Sequence, residues 1–553
     1  MSGYARVGGT SLHFNPFDIN GVFRADLADG QEVRDAAVRS AGVTLFSGAI
    51  SLAVQTISTM ALGRLVPPRD FGLVAIVTTI SLLLASFGDT GLPEAIVQRE
   101  ELNRSLASNL FWINVAGGLL LTIAFAAAGP LFAWFYHDYE LERVAFCISP
   151  MMLFYSTATV HLALLKRSMR FSEASMVAIY GRTVSAAVSI LLAWLGYAHW
   201  ALVGGAVALP ATQTLAAWYF CRWMPDAPGR VPGTGSTFWF AFTTYGRFCL
   251  SYFGRNTDNV LVAWRFSTQA LGFYKKAYDL FSLSASQFTH SLTLVVVSAL
   301  NRIERGSAEY RRFLVGALGA MTFLGMGLAA ELTLTGKDLI RLLLGPGWEQ
   351  SGRIFTFFGP GVGIMILYYT NDWIHLSLGK ADRWFRWGVV EVLVTVSLFV
   401  AGIPWGPVGI AVAWTLSYWL LTIPALWYAG RPIAFGVGPI IGAIWRYFIA
   451  ALFAGIVTSL VTGRIPWLVA VSGSGGAALR IFITSLLLVV VYLAAVAGLY
   501  GSATPIYQSA ELVRQMLIKR RSQAMGSAAE PMAAQRGTAD TTVSQAGAVH
   551  HRP

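Results

Sequence analysis

Residues 106–130 read LASNLFWINVAGGLLLTIAFAAAGP, and residues 479–500 read LRIFITSLLLVVVYLAAVAGLY. The first run carries no charged side chain and the second only Arg480. An α-helix rises about 1.5 Å per residue, so about 20 apolar residues cross the hydrocarbon core of a bilayer. Runs of this kind recur near 42–63, 71–93, 144–165, 176–197, 199–221, 245–266, 277–299, 313–335, 354–376, 387–403, 408–429 and 444–463. A membrane β-strand would show about 10 residues of alternating polarity. These runs are longer and unbroken, and in hydrocarbon a helix satisfies its own backbone. The sequence therefore predicts an all-α integral membrane protein with about 14 transmembrane helices. Composition agrees: 55% of the 553 residues are hydrophobic and 12% charged, and the mean hydropathy is +0.58. Soluble domains carry about 25% charged residues, so a soluble fold is excluded.

The spans and the loops between them divide the chain. Residues 1–40 are a polar segment in which Gln31–Ser40 could form a short entry helix, and 41–222 hold the first six spans. Residues 223–244 are an inter-lobe loop, 245–430 hold the next six spans, 431–500 the last two, and 501–553 a tail. The tail is rich in Ala, Ser, Gly and Gln and is expected to be largely disordered. Within it Ala510–Arg521 is a short basic amphipathic pattern suited to an anionic membrane surface. Lys and Arg concentrate on the side that holds both tails, which places the N- and C-termini in the cytoplasm. No cleavable signal peptide is visible, and a bacterial inner membrane fits. The same positive-inside bias accounts for the net charge of +12 without nucleic acid. Cys147, Cys221 and Cys249 have no paired spacing and read as small apolar residues.

The two halves resemble each other. At an offset of 200, Ser51 meets Ser251, Gln55 meets Arg255, Ser58 meets Asp258, Thr59 meets Asn259 and Gly72 meets Gly272. At 214, His161 and Lys166 face His375 and Lys380. Six spans per unit is even, so both units insert the same way up. Such repeats are typical of carriers that alternate access around a midplane site.

Polar residues mark one face of several spans. Thr44, Ser47, Ser51, Gln55 and Ser58 are spaced 3, 4, 4 and 3, as are Asp279, Ser282, Ser286, His290 and Thr293. Arg255, Asn256, Asp258 and Asn259 cluster in the seventh span, and Asp372 lies near the end of the tenth. A charge facing lipid at mid-membrane costs at least about 2.5 kcal/mol. These groups must face one another or a wet cavity. Helix–helix hydrogen bonding explains isolated Ser and Thr, and Arg255 and Asp258, three residues apart, could neutralise each other. Arg182 has no acid one turn away, which makes it the leading candidate for an anion contact. Glu391 could mark only the interface. There is no P-loop for ATP, no metal-ligand spacing, and no long external loop to hold an enzyme's acceptor sugar. No cofactor and no catalytic residue are expected.

The segment LGRLVPPRDFGLVAIVTTISLLLASFGDTGLPEAIVQRE (Leu62–Glu100) resembles the start of the polysaccharide-transporter family, within the multidrug, oligosaccharidyl-lipid and polysaccharide exporter superfamily. The matching positions are Leu65, Pro67, Asp70, Phe71 and Gly72, then Phe87, Asp89, Gly91, Leu92, Ala95, Gln98 and Arg99. Ala270–Ile303 and Leu339–Phe355 resemble the second half. The likeness runs over residues 40–430, more loosely to 500, and is nearest to WzxC-like exopolysaccharide and lipopolysaccharide transporters. Val66 with Pro67-Pro68, and Phe266–Ala270 in the second half, depart from the usual turn. The resemblance implies two six-helix lobes in a V with the last two spans peripheral, and a central cleft lined by spans 1, 2, 7 and 8. It implies a flippase that moves a polyprenyl-pyrophosphate-linked oligosaccharide, such as an undecaprenyl-linked one, across the inner membrane, with the lipid tail in the bilayer. A polysaccharide polymerase or export machinery would be its protein partner.

In that reading Arg182 and Arg255 offset the pyrophosphate, while Gln55, Ser51, Asn256 and Asn259 exchange hydrogen bonds with sugar hydroxyls. Asp258, Asp279, Asp372 or His290 carry any coupling ion. A cation-coupled multidrug exporter of the same superfamily, a lipid II flippase and, from another class, a membrane glycan polymerase or ligase are the alternatives.

Overall fold

The computed structural model describes residues 15–18, 21–23, 30–89, 92–93, 96, 102–229, 231–232, 234–502, 504 and 507. Apart from isolated β-bridges, among them Phe17 with Phe23 and Val22 with Asn103, the regular structure of these residues is helical. Among the described residues the first half has the helices α1 (Gly30–Leu65), α2 (Pro68–Asp89), α3 (Arg104–Ala127), α4 (Gly129–Tyr136), α5 (Glu140–Ile148), α6 (Pro150–Arg167), α7 (Phe171–Trp194) and α8 (His199–Phe220). The second half holds α9 (Thr234–Arg265), α10 (Thr268–Leu300), α11 (Ala308–Leu344), α12 (Glu349–Tyr368), α13 (Thr370–Leu378), α14 (Ala381–Gly402) and α15 (Gly406–Gly430). Then follow α16 (Val437–Gly463), the short α17 (Pro466–Ala470) and α18 (Gly473–Tyr500).

Every expected span falls on a helix or on two helices in series. The fourth divides at Ser149, where Pro150 begins α6, and the tenth divides into α12 and α13 at Tyr369. Among the described residues, ten stretches qualify as membrane spans by length and apolarity alone, one of which is the 52-residue Asp382–Ile433 that folds as α14 and α15. The stretches of α9, α10 and α12 are not among the ten.

Two expected boundaries change. Gln31–Ser40 is no separate entry helix but the first turns of the continuous α1. The loop expected at 223–244 already becomes α9 at Thr234. Its earlier part is tied to α3. Arg104 pairs with Asp226 at 2.9 Å, the Trp112 indole donates to the Asp226 carbonyl, and Asn109 exchanges two hydrogen bonds with the Gly229 backbone. The tail pattern Ala510–Arg521 lies outside the described residues, as do Gly91, Ala95, Gln98 and Arg99. The three cysteines are free thiols. Cys221 is buried, whereas Cys147 is exposed on α5.

The halves meet at two equivalent glycines. A Cβ added to Gly72 would lie 1.7 Å from the Thr268 carbonyl oxygen, and one added to Gly272 would lie 1.8 Å from that of Pro68. The pairs 72/268 and 272/68 exchange under the offset of 200, so the local pseudo-twofold axis runs between α2 and α10. Around this crossing the Trp348 indole donates to the Gly63 carbonyl at 2.7 Å, Arg64 donates to that of Leu342 at 2.9 Å, and the Phe71 ring stands 5.4 Å from Trp348. Farther along α2, the Tyr252 and Tyr245 hydroxyls of α9 donate to the carbonyls of Thr79 and Leu83. The last two long helices, α16 and α18, pack on each other and on α11, where Arg480 makes a bidentate pair with Asp338.

Gly72→Ala or Gly272→Ala would force backbone apart, since the obstructing atoms are carbonyl oxygens. Overpacking costs about 1–3 kcal/mol or more. We expect each variant to melt lower in detergent, or to leave the monodisperse fraction. Gly48→Ala, where a Cβ meets nothing within 4 Å, should behave as wild type. Unchanged melting of both axis variants would contradict the crossing.

Candidate functional site: an inter-half cavity with a cationic lining

The stripe on α1 does not share one fate. Ser47 and Ser51 are buried, whereas Gln55, Ser58 and Thr59 open onto a cavity of about 580 Å³. Thr44 lies where the side chains are outside the described residues. Tyr155 of α6, Arg182 and Ser185 of α7 and Gln213 of α8 complete the first-half wall, and Lys276 of α10 faces them from the second half. Arg182 reaches the Gln55 amide oxygen at 3.5 Å. Gly181, beside Arg182, admits α8 closely, since a Cβ there would strike the Gln213 side chain at 2.5 Å. Lys276 lies 4.2 Å over the Phe71 ring, next to the glycine crossing. Among the described residues the lining thus holds two cations, two amides and several hydroxyls, and no carboxylate. Such a set favours an anion, with the amides and hydroxyls left to exchange hydrogen bonds.

Lys276 escaped the sequence reading. It stands three residues before Asp279, so extending the α10 stripe by one turn toward its N-terminus would have reached it.

The other expected site residues lie elsewhere. Asp258 is fully buried in the second half, and its carboxylate accepts from the Tyr274 hydroxyl at 2.7 Å, the Trp414 indole at 2.7 Å and the Asn259 backbone at 2.8 Å. Asn259, also buried, donates to the Asn256 side chain, which itself donates to the Tyr252 carbonyl. Arg255 does not neutralise Asp258. It opens with Asp372 and Glu391 onto a second cavity, so Arg182 and Arg255 are not brought together. Asp279 pairs with Lys275, one turn before it. The side chains of Ser251, Ser286 and His290 lie outside the described residues. The histidines related by the second offset are both buried; His161 donates to the Trp223 carbonyl at 3.1 Å and stacks on Trp218.

Comparison with known proteins adds the family. The family model described as "Polysaccharide biosynthesis protein" matches residues 61–353, more than half of the chain. The chain belongs to this family. It is similar to the teichuronic acid biosynthesis protein TuaB of Bacillus subtilis, with 23% identity over 317 residues that cover 57% of this chain and 65% of that protein. It is also similar to the lipopolysaccharide biosynthesis protein WzxC of Escherichia coli, 18% identical over 78% of this chain and 87% of that one. The succinoglycan biosynthesis transport protein ExoT of Rhizobium meliloti is 20% identical over 68% of this chain and 76% of its own length. Among solved structures, the lipid II flippase MurJ in an inward closed conformation superposes with a TM-score of 0.66, covering 84% of this chain and 99% of that one at 15% identity. An inward-facing multidrug transporter of the MATE family and MOP superfamily gives 0.52, covering 69% and 94% at 12% identity. At these identities the superpositions establish the shared fold.

Removing the Asp258 carboxylate strands at least two buried donors, each costing about 1–3 kcal/mol. Asp258→Ala should therefore lower the thermal midpoint of the purified protein clearly, whereas Arg182→Ala, at an exposed position of the cavity wall, should leave it nearly unchanged. Equal midpoints for Asp258→Ala and wild type would refute the anchoring role.

Proposed function

We propose that this protein is a flippase for polyprenyl-pyrophosphate-linked oligosaccharides, working by alternating access through the inter-half cavity without catalysing a reaction of its own. The observation that supports this is the lining that joins Arg182 and Lys276 to amides and hydroxyls, with no carboxylate among the described residues. An anionic pyrophosphate gains charge-assisted hydrogen bonds from the cations, and Gln55, Ser58 and Gln213 replace water at the adjoining sugars. Bare passage through hydrocarbon would strip those hydrogen bonds at several kcal/mol per group. A volume of about 580 Å³ falls in the usual range of about 300–1,000 Å³ for ligand sites, so it suits the head group and first sugars.

The glycine crossing and the Trp348–Gly63 bond close the halves on each other at the Gly63–Gly72 end of this cavity. With the termini in the cytoplasm and fourteen spans in a bacterial inner membrane, that end faces outward. Release then requires the crossing region to rock open.

The test is the fate of lipid-linked glycan in a deletion strain of the native host, complemented by variants. Each lost charge-assisted hydrogen bond is worth about 1.5–3 kcal/mol, or about tenfold or more. Arg182→Ala and Lys276→Ala, expressed at wild-type levels, should each cut surface polymer about tenfold while undecaprenyl-linked repeat units accumulate facing the cytoplasm. Normal polymer and normal lipid intermediates in the deletion strain, with new sensitivity to cationic drugs, would replace the flippase by a multidrug exporter.

A further inference from the structure

The second half encloses its own cavity of about 320 Å³ between α9, α12–α13, α14 and α15. It is unlike the first in charge. Arg255 enters from α9, Asp372 from α13 and Glu391 from α14. Among the described residues, no ion pair within 4 Å joins the guanidinium to either carboxylate. Arg255 stands instead 5.5 Å over the Tyr369 ring. Both carboxylates feel the Arg255 charge across the space, and each also has a neutral donor beside it, the Trp384 indole for Asp372 and the Tyr368 hydroxyl for Glu391. Ionisable groups at membrane depth normally pair directly or face a wet cavity. Here charges of both signs are held apart around one space, so an occupant that satisfies them carries both signs itself.

The same two helices continue into an apolar hollow. Thr395 and Trp414 border the charged cavity, while Leu398, one turn on, and Ala413, the next residue, border the hollow. Its remaining wall, including Gly402, Gly409, Val412 and Leu416, offers no ionisable group. Gly402 and Gly409 bring α14 and α15 into backbone contact, since a Cβ on Gly409 would lie 2.2 Å from the Gly402 carbonyl oxygen. Trp405, Val412 and Leu416 are exposed, so the hollow opens on the outer surface of the bundle, where lipid lies. A charged cavity and an apolar hollow thus lie end to end on one helical hairpin.

We propose that the α14–α15 hairpin holds one phospholipid with a zwitterionic ethanolamine head. Its phosphate pairs with Arg255, its ammonium lies toward Asp372 and Glu391, and an acyl chain fills the hollow beside Leu398. The charge pattern selects this head. A glycerol head brings no cation and leaves two carboxylates facing an anion. A choline head brings a cation but no N–H to donate to them, whereas a primary ammonium has three. This site is separate from the Arg182–Lys276 cavity and stands whether or not that cavity carries a lipid-linked glycan.

The test is native mass spectrometry of the purified full-length protein in neutral detergent, titrated with dioleoyl phosphatidylethanolamine, phosphatidylglycerol and phosphatidylcholine. The expected result is one ethanolamine lipid retained under activation that strips the other two. Arg255→Gln and Asp372→Asn should each lower its retained affinity about tenfold, the usual effect of losing one charge-assisted hydrogen bond. Leu398→Trp, which fills the hollow and leaves the charges in place, should lower it as well. The head-group preference of the wild-type protein needs no variant to fold. Equal retention of phosphatidylglycerol, no retained lipid, or folded variants that hold the ethanolamine lipid as wild type does would each overturn the proposal.

Discussion

Two glycines in carbonyl contact set the frame of this molecule. Between membrane helices there is little hydrophobic drive to associate, because lipid is as apolar as leucine. Close backbone approach and directional bonds must supply the contact. At Gly72 and Gly272 no side chain fits between α2 and α10, and the indole of Trp348 and the guanidinium of Arg64 add donors to backbone carbonyls across the halves. With α2 committed to α10 and α9, α1 presents Gln55 and Ser58 to the space opposite Lys276. The cavity is therefore a by-product of where the halves touch. Its polar lining tolerates water, and its position follows from the crossing.

Membrane-buried charge is handled in three ways. Asp258 is locked by hydroxyl, indole and backbone donors and acts as a core anchor. Asp338 is matched bidentately by Arg480, which fastens α18 to α11. Arg182 and Lys276, and separately Arg255 with Asp372 and Glu391, face cavities. An ionisable residue in a span is thus informative only with its partners. Arg255 and Arg182 looked alike as letters in apolar helices, yet one faces two carboxylates and the other an amide.

The helices were legible in the sequence because the bilayer imposes length and apolarity together. The repeat was legible too, and the offset of 200 turned out to relate the atoms that touch at the axis. Less legible was the start of α9. Residues 234–244 mix Thr and Ser with aromatic side chains, a composition that suits a helix end as well as a loop. The 3, 4, 4, 3 spacing on α1 identified one face but not what each residue on it meets. Ser51 is packed, whereas Gln55, one turn later, is open. The rotation of one half against the other decides that difference, and no local pattern encodes it. The same reason hid the separation of Arg182 from Arg255.

A carrier large enough for a sugar head group could also be a hole in the membrane. The lining of the inter-half cavity bears on that. Arg182 and Lys276 face it, and no carboxylate is among its described lining residues, so like charges there repel an entering cation. A proton or sodium ion entering the cavity meets the positive charge of these two side chains. If these cations take the anionic head as proposed, the same two charges also oppose cation leakage, so the membrane's electrical potential need not drain through the cavity.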